Sequence, residues 1–87
     1  MKVIAIDFDG ILFINDKPLI DNINKLNNLF ENKDNFIVIY TARSKNIRNK
    51  TEELLERYKI KYHALVMEKI RADYYIDDKN SELDSIF

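Results

Sequence analysis

The 87 residues contain no cysteine and no tryptophan, one glycine and one proline. Without cysteine there is no disulfide, no thiol nucleophile and no thiolate metal ligand. A single Gly and a single Pro leave no room for a flexible linker, and neither a repeat nor a low-complexity tract is present, so residues 1–87 read as one domain. No apolar run approaches the ~18 residues of a membrane span. The N-terminus enters a strand directly with no signal-peptide pattern, so the expectation is a soluble cytoplasmic protein. An excess of one charge sign is also lacking: 14 Lys and Arg stand against 15 Asp and Glu, for a formal net charge of -1. That balance excludes the broadly basic surface that grips nucleic acid unspecifically. What remains is a globular mixture, 46% apolar and 33% charged, near the small end of what a hydrophobic core supports unaided. Asn and Lys are abundant, a bias more readily put down to coding than to physics.

The chain is organised around residues 3–13, VIAIDFDGILF. The Val-Ile-Ala-Ile run predicts a strand buried on both faces, as in the middle of a parallel sheet. Asp7 and Asp9 end it abruptly, with Gly10, the only glycine, directly behind. Carboxylates do not belong inside such a sheet, so they belong where the strand emerges. Gly10 there permits a sharp turn or a close approach to a ligand. In open α/β sheets ligands collect beyond the carboxyl ends of the strands, which makes Asp7 and Asp9 site candidates.

Residues 11–19 (ILFINDKPL) predict a small hairpin flap turning at Asn15-Asp16-Lys17-Pro18 and leaning over the two acids. Asp21 is the expected N-cap of a helix whose apolar stripe is Ile23, Leu26, Leu29 and Phe30, ending near Asn32. Residues 36–40 (FIVIY) predict a second buried strand that delivers Thr41-Ala42-Arg43. Ser44 is the expected cap of a second helix with Ile47, Thr51, Leu54, Leu55 and Tyr58 on one face. Residues 62–66 predict a third strand leading to Glu68 and Lys69. Residues 72–76 predict a fourth, ending in Asp77-Asp78, and Ser81 is the expected cap of a last turn. The expected architecture is α/β: a small Rossmann-like parallel sheet of about four strands, two main helices and no cap domain. Right-handed crossovers put both long helices on one face of that sheet. The other face then needs the flap, the C-terminal turn or a second copy of the chain, and self-association is the expected answer.

Asp7 with Asp9, Thr41, Lys69, and Asp77 with Asp78 thus each follow a different strand, and in a parallel sheet all those ends lie on one edge. Carboxylates gathered within about 4 Å repel by several kcal/mol per pair at a moderate dielectric, and Lys69 supplies only one compensating charge. A divalent cation resolves this, and all-oxygen ligation favours Mg²⁺ with a substrate phosphate completing its shell. Thr41 can offer its hydroxyl, and Ala42 and Arg43 their amides, to phosphate oxygens, while Lys69 neutralises the same group. The pattern suits phosphoryl transfer, which needs mainly charge neutralisation and alignment. A carboxylate can itself attack phosphorus, and a second one two residues away can manage the protons.

The series Asp7-Phe8-Asp9-Gly10, a strand ending in Thr41, then Lys69, then Asp77-Asp78 resembles the four motifs of the haloacid dehalogenase (HAD) superfamily of phosphohydrolases, across essentially the whole chain. Residues 69–78, KIRADYYIDD, are similar to the tail of very small capless members. The resemblance implies Asp7 as nucleophile and metal ligand, and Asp9 as general acid/base and metal ligand through its backbone carbonyl. It implies a phosphate-holding set of Phe8, Thr41, Ala42 and Lys69, with Asp77 on Mg²⁺ and Asp78 supporting the metal directly or through water. Only residues 79–87 follow Asp78, so the family's final strand and helix are expected to be missing or rudimentary. An uncapped site is open, as in relatives that act on bulky phosphorylated substrates.

The expected partner is a phosphorylated small molecule, a sugar phosphate by preference, with no membrane and no nucleic acid. The rival from another class is a phosphate- or metal-binding regulatory module without turnover. A two-component receiver domain is disfavoured because its acids precede the Thr and Lys and none follow. Arg43 is expected to face solvent or substrate and to take no part in the chemistry. His63 and the tyrosines Tyr58, Tyr62, Tyr74 and Tyr75 are expected to be structural.

Overall fold

A computed structural model of the protein describes residues 1–67 and 74–76, with the backbone alone at Tyr74 and Tyr75. The described elements are β1 (Lys2–Asp7), a hairpin of β2 (Phe13–Ile14) and β3 (Lys17–Pro18), α1 (Ile20–Glu31), β4 (Asn35–Tyr40), a 3₁₀ turn (Lys45–Ile47), α2 (Arg48–Arg57), β5 (Ala64–Val66) and β6 (Tyr74–Ile76). The main sheet has the order β5-β4-β1-β6, and every neighbouring pair in it is parallel. The mixed α/β architecture with a small parallel sheet and two helices is therefore as the sequence predicts. Among the described residues no helix is long and apolar enough to cross a membrane.

Register explains why the strands are apolar throughout. Ile6 pairs with Ile39 and with Ile76, and Ile39 with Leu65. Paired residues project to the same face of a sheet, so this row and Ile4–Ile37 form one apolar face. It packs into a single core with Ile23 and Leu26 of α1 and Leu54 and Leu55 of α2. Alternation carried one residue past β1 sends Phe8 to that same side, where it is fully buried and stacked on Phe13 of the hairpin, 4.6 Å between ring centroids. The opposite face carries Ala5, Val38 and Tyr40, all buried.

Several local features differ from the sequence-based expectations. Helix α1 starts at Ile20 with Leu19 in the capping position and no side-chain cap; Asp21 lies inside the first turn. The start is fixed by the hairpin instead, since the Leu19 amide donates to the Leu12 carbonyl at 2.8 Å and Asn22 Nδ2 to the Ile11 carbonyl at 2.8 Å. Asp21 still faces the helix N-terminus, where a negative charge is favoured. Ser44 caps the 3₁₀ turn, its Oγ accepting from the Asn46 amide at 3.2 Å. That turn winds at about three residues per turn and rotates Ile47 off the helical stripe, so Ile47 is exposed whereas Thr51, Leu54 and Leu55 are buried. Strand β5 begins at Ala64 rather than at residue 62. The cause is His63: its Nδ1 accepts from the Ile37 amide at 2.9 Å, a β4 donor that a backbone carbonyl would otherwise take, and its ring is stacked by Phe30 and Phe36.

The asparagines turn out to be used. Asn27 Oδ1 accepts from the Lys61 amide at 2.8 Å and Asn35 Nδ2 donates to the Leu29 carbonyl at 3.0 Å, so both tie helix α1 to neighbouring chain. Helix α2 ends in a Schellman motif: the Lys59 amide donates to the Glu56 carbonyl and the Ile60 amide to the Leu55 carbonyl, both at 3.0 Å. Lys59 adopts φ 54° there, a conformation in which a side chain other than glycine's is strained.

Candidate active site

The site is built where β1 and β4 end side by side. Asp7 closes β1 half-buried and pairs in register with Tyr40. The chain then bends at Gly10, which takes φ 94° and donates its amide to the Phe13 carbonyl at 2.8 Å; only glycine adopts this geometry without strain. The bend folds the β2–β3 hairpin back beside the strand end. Its two-residue loop is Asn15-Asp16, with φ 51° and 63°, the type I′ geometry that matches strand twist and suits Asn and Asp. A shallow cleft of about 450 Å³ lies here, lined by Asp9, Gly10, Phe13, Ile14 and Asn15.

Arg43, two residues beyond the Thr41 that follows β4, dominates the electrostatics. Its guanidinium grips Asp9 with both edges of a fork, Nη2 to Oδ1 at 2.7 Å and Nε to Oδ2 at 3.0 Å. The same Nη2 reaches Asp16 Oδ1 at 2.9 Å, and Arg43 Cζ sits 4.7 Å from the centre of the Phe8 ring. Lys50 Nζ approaches the other Asp16 oxygen at 3.5 Å. Bidentate, charge-assisted geometry of this kind is the strong form of a surface ion pair, and the arginine side chain is only 18% exposed. The hydrogen bonds that Arg43 donates to Asp9 and then to Asp16, against the opposing effect of burial, hold it protonated beyond its already high basicity. The hydrogen bond from Arg43, with help from Lys50, lowers the Asp16 carboxyl below its ordinary 3.8.

Thr41 is fully buried at the centre of the arrangement. Its hydroxyl donates to Asp9 Oδ2 at 3.3 Å and accepts from the Arg43 amide at 3.1 Å, while its own amide donates to the Val66 carbonyl at 3.0 Å. The Phe8 side chain is buried, its amide donates to Tyr40 O, and its carbonyl accepts from Leu12 and Phe13. Its ring is the floor under Arg43. Ala42 is exposed between Thr41 and Arg43. Lys69, Asp77 and Asp78 lie outside the described residues, as does Ser81.

The structure therefore brings Asp7, Asp9 and Thr41 to one edge. It adds Asp16, Lys50 and the guanidinium of Arg43, a residue expected to offer only its amide or to face solvent or substrate. Asp16 had a local signal, the Asn-Asp turn, but nothing in the sequence couples it to an arginine 27 residues on. Among the described residues no group of three or more His, Asp or Glu gathers as a metal site. The described donors are oxygen only, which suits a hard cation such as Mg²⁺. Comparison with protein-family models, with curated proteins and with solved structures returns no match.

Proposed function

We propose that the chain is a Mg²⁺-dependent phosphatase of the haloacid dehalogenase type, hydrolysing a phosphate monoester through an aspartyl-phosphate on Asp7. The observation that carries the reading is the strand order β5-β4-β1-β6. The central strand ends in Asp7, with Thr41 following the strand on one side. On the other side is β6, whose Ile76 pairs with Ile6 one peptide bond before Asp77. The chain runs outward from β1 through β4 to β5 and then returns to β1's far side, and a crevice at such a reversal is where open α/β sheets bind ligands.

In this reading an Asp7 oxygen attacks phosphorus as the ester P–O bond breaks, and Asp9 gives its proton to the leaving oxygen. Asp9 then takes a proton from the water that attacks the aspartyl-phosphate, which releases inorganic phosphate and restores Asp7. Thr41 and Lys69 align the phosphoryl oxygens, with Ala42 at the rim. Asp7, the Asp9 carbonyl, Asp77 and Asp78 would hold Mg²⁺, whose contribution is to neutralise charge on the phosphoryl group. The cleft of about 450 Å³ beside Asp9 suits a small leaving group such as a sugar, and without a cap a bulkier one also fits.

One observation favours a second reading, a phosphate-binding regulatory module. Both Asp9 oxygens are engaged by Arg43 and Thr41, as in a pocket that binds without turning over. A phosphate-release screen with and without Mg²⁺ separates the two. Wild type is expected to hydrolyse sugar phosphates, and Asp7→Asn to abolish turnover with an unchanged circular dichroism spectrum. Undiminished hydrolysis in that variant removes the nucleophile assignment. Wild type that binds inorganic phosphate but releases none from any ester selects the regulatory module.

A further inference from the structure

Asp9 presents a conflict that the phosphatase reading leaves unresolved. A group that gives and takes protons needs an accessible oxygen, yet Oδ1 is held by Arg43 Nη2 and Oδ2 by both Arg43 Nε and the Thr41 hydroxyl. The guanidinium has to leave for Asp9 to work. Asp9 is 47% exposed, so the pair lies at the rim and not in the core. Arg43 is also not anchored by Asp9 alone. Asp16 at the hairpin tip holds Nη2 from the other side, Phe8 supports the guanidinium plane from beneath, and Asp16 is itself steadied by Lys50. Arg43 can therefore release one carboxylate and stay at the site.

A phosphoryl group offers a guanidinium fork the same paired oxygen acceptors as a carboxylate, with more negative charge. We infer that Arg43 is a substrate-responsive positioning residue: it occupies the Asp9 carboxylate in the resting site and transfers to the phosphoryl oxygens when substrate arrives, with Asp16 keeping it in reach. Asp9 is thereby set free for proton transfer only when a phosphate is present. The inference rests on the phosphatase reading for Asp9's task, but the exchange of partners can be observed without catalysis. Lysine at this position keeps the charge and loses the fork, so it cannot match the two oxygens of either partner.

The test titrates inorganic phosphate into the full chain in the presence of Mg²⁺ while the Arg43 Nε–H resonance is followed by NMR. That resonance is assigned by its absence from Arg43→Lys. The expected result is a saturable shift in wild type as the acceptor changes. In Arg43→Lys phosphate affinity is expected to fall about tenfold, the value of one charge-assisted hydrogen bond. The KM for a phosphate ester should rise by a similar factor with kcat largely retained, and Arg43→Gln should be worse on both counts. An Nε–H resonance that stays put at saturating phosphate overturns the inference, as does Arg43→Lys binding phosphate as wild type does. If wild type shifts the resonance but hydrolyses nothing, the exchange stands and the phosphatase reading fails. If wild type binds no phosphate at all, both fall.

Discussion

The layer beneath the sheet and the rim beyond its carboxyl edge are held together by different forces. Beneath the sheet, Ile4, Ile6, Ile37, Ile39, Leu26 and Leu55 pack without a charge among them, and the described buried polar side chains are Asn35, Thr41 and Thr51. At the rim, the hairpin tip is tied down by Asp16, Arg43 and Lys50, in contacts that water and salt can reach. Burial of apolar surface is non-directional and largely indifferent to pH, whereas rim pairs are worth little each and are screened. The difference separates what keeps the chain folded from what shapes its site. The rim can rearrange without risk to the core.

Phe13 joins the two regions, and removing it is expected to have the largest effect on the fold. It is fully buried, stacks on Phe8, and lies 5.7 Å from Tyr58, although it belongs to the hairpin. Phe13→Ala is expected to cost about 3–5 kcal/mol, a large share of the roughly 5–15 kcal/mol of a typical domain. Urea denaturation would register it as a midpoint lowered by at least about 1 M; an unmoved midpoint means the hairpin is not part of the core.

A smaller effect should separate the rim from the core by pH. Because the folded carboxyl of Asp16 is lowered from 3.8, its contribution is complete above that value and is lost as the pH falls through the lower folded one. Amide resonances of residues 14–17 should therefore move below about pH 3.8 while those of Ile37 and Ile39 hold still. The same selective movement should appear near 1 M salt at neutral pH, where the Debye length is about 3 Å. Concerted movement of both sets would show that rim and core are one unit.

The smallest effect is a gain. Replacing Lys59, at φ 54°, by glycine removes the strain of a left-handed residue and should stabilise the chain by about 1 kcal/mol. Differential scanning calorimetry should show a higher Tm with no change at the rim. A lower Tm would mean that the lysine stem contributes more than its backbone costs.

The regions also differ in how far the sequence reveals them. Strands β1 and β4 are readable because an unbroken β-branched run has few other places to go, and Asp7, Asp9 and Thr41 are placed simply by following those strands. Helix α1 is readable by its stripe, but not its first residue, because Asp21 loses the capping position to contacts from Leu12 and Ile11 that no helix rule anticipates. His63 is recognisable as structural, yet its replacement of a backbone acceptor, which shortens β5, is not. Least legible is the grip on Asp9. Arg43 lies 34 residues from Asp9 and 27 from Asp16, and a pairing that only the fold creates leaves no local pattern.

The two-residue loop at Asn15-Asp16 acts as a ruler. Side chains along a hairpin arm change sides with every residue, so lengthening the loop or either arm by a single position would turn Phe13 or Asp16 the wrong way. Substitutions in this segment can be absorbed one at a time, but its length cannot drift, because one spacing sets both the anchor in the interior and the reach of the tip to Arg43.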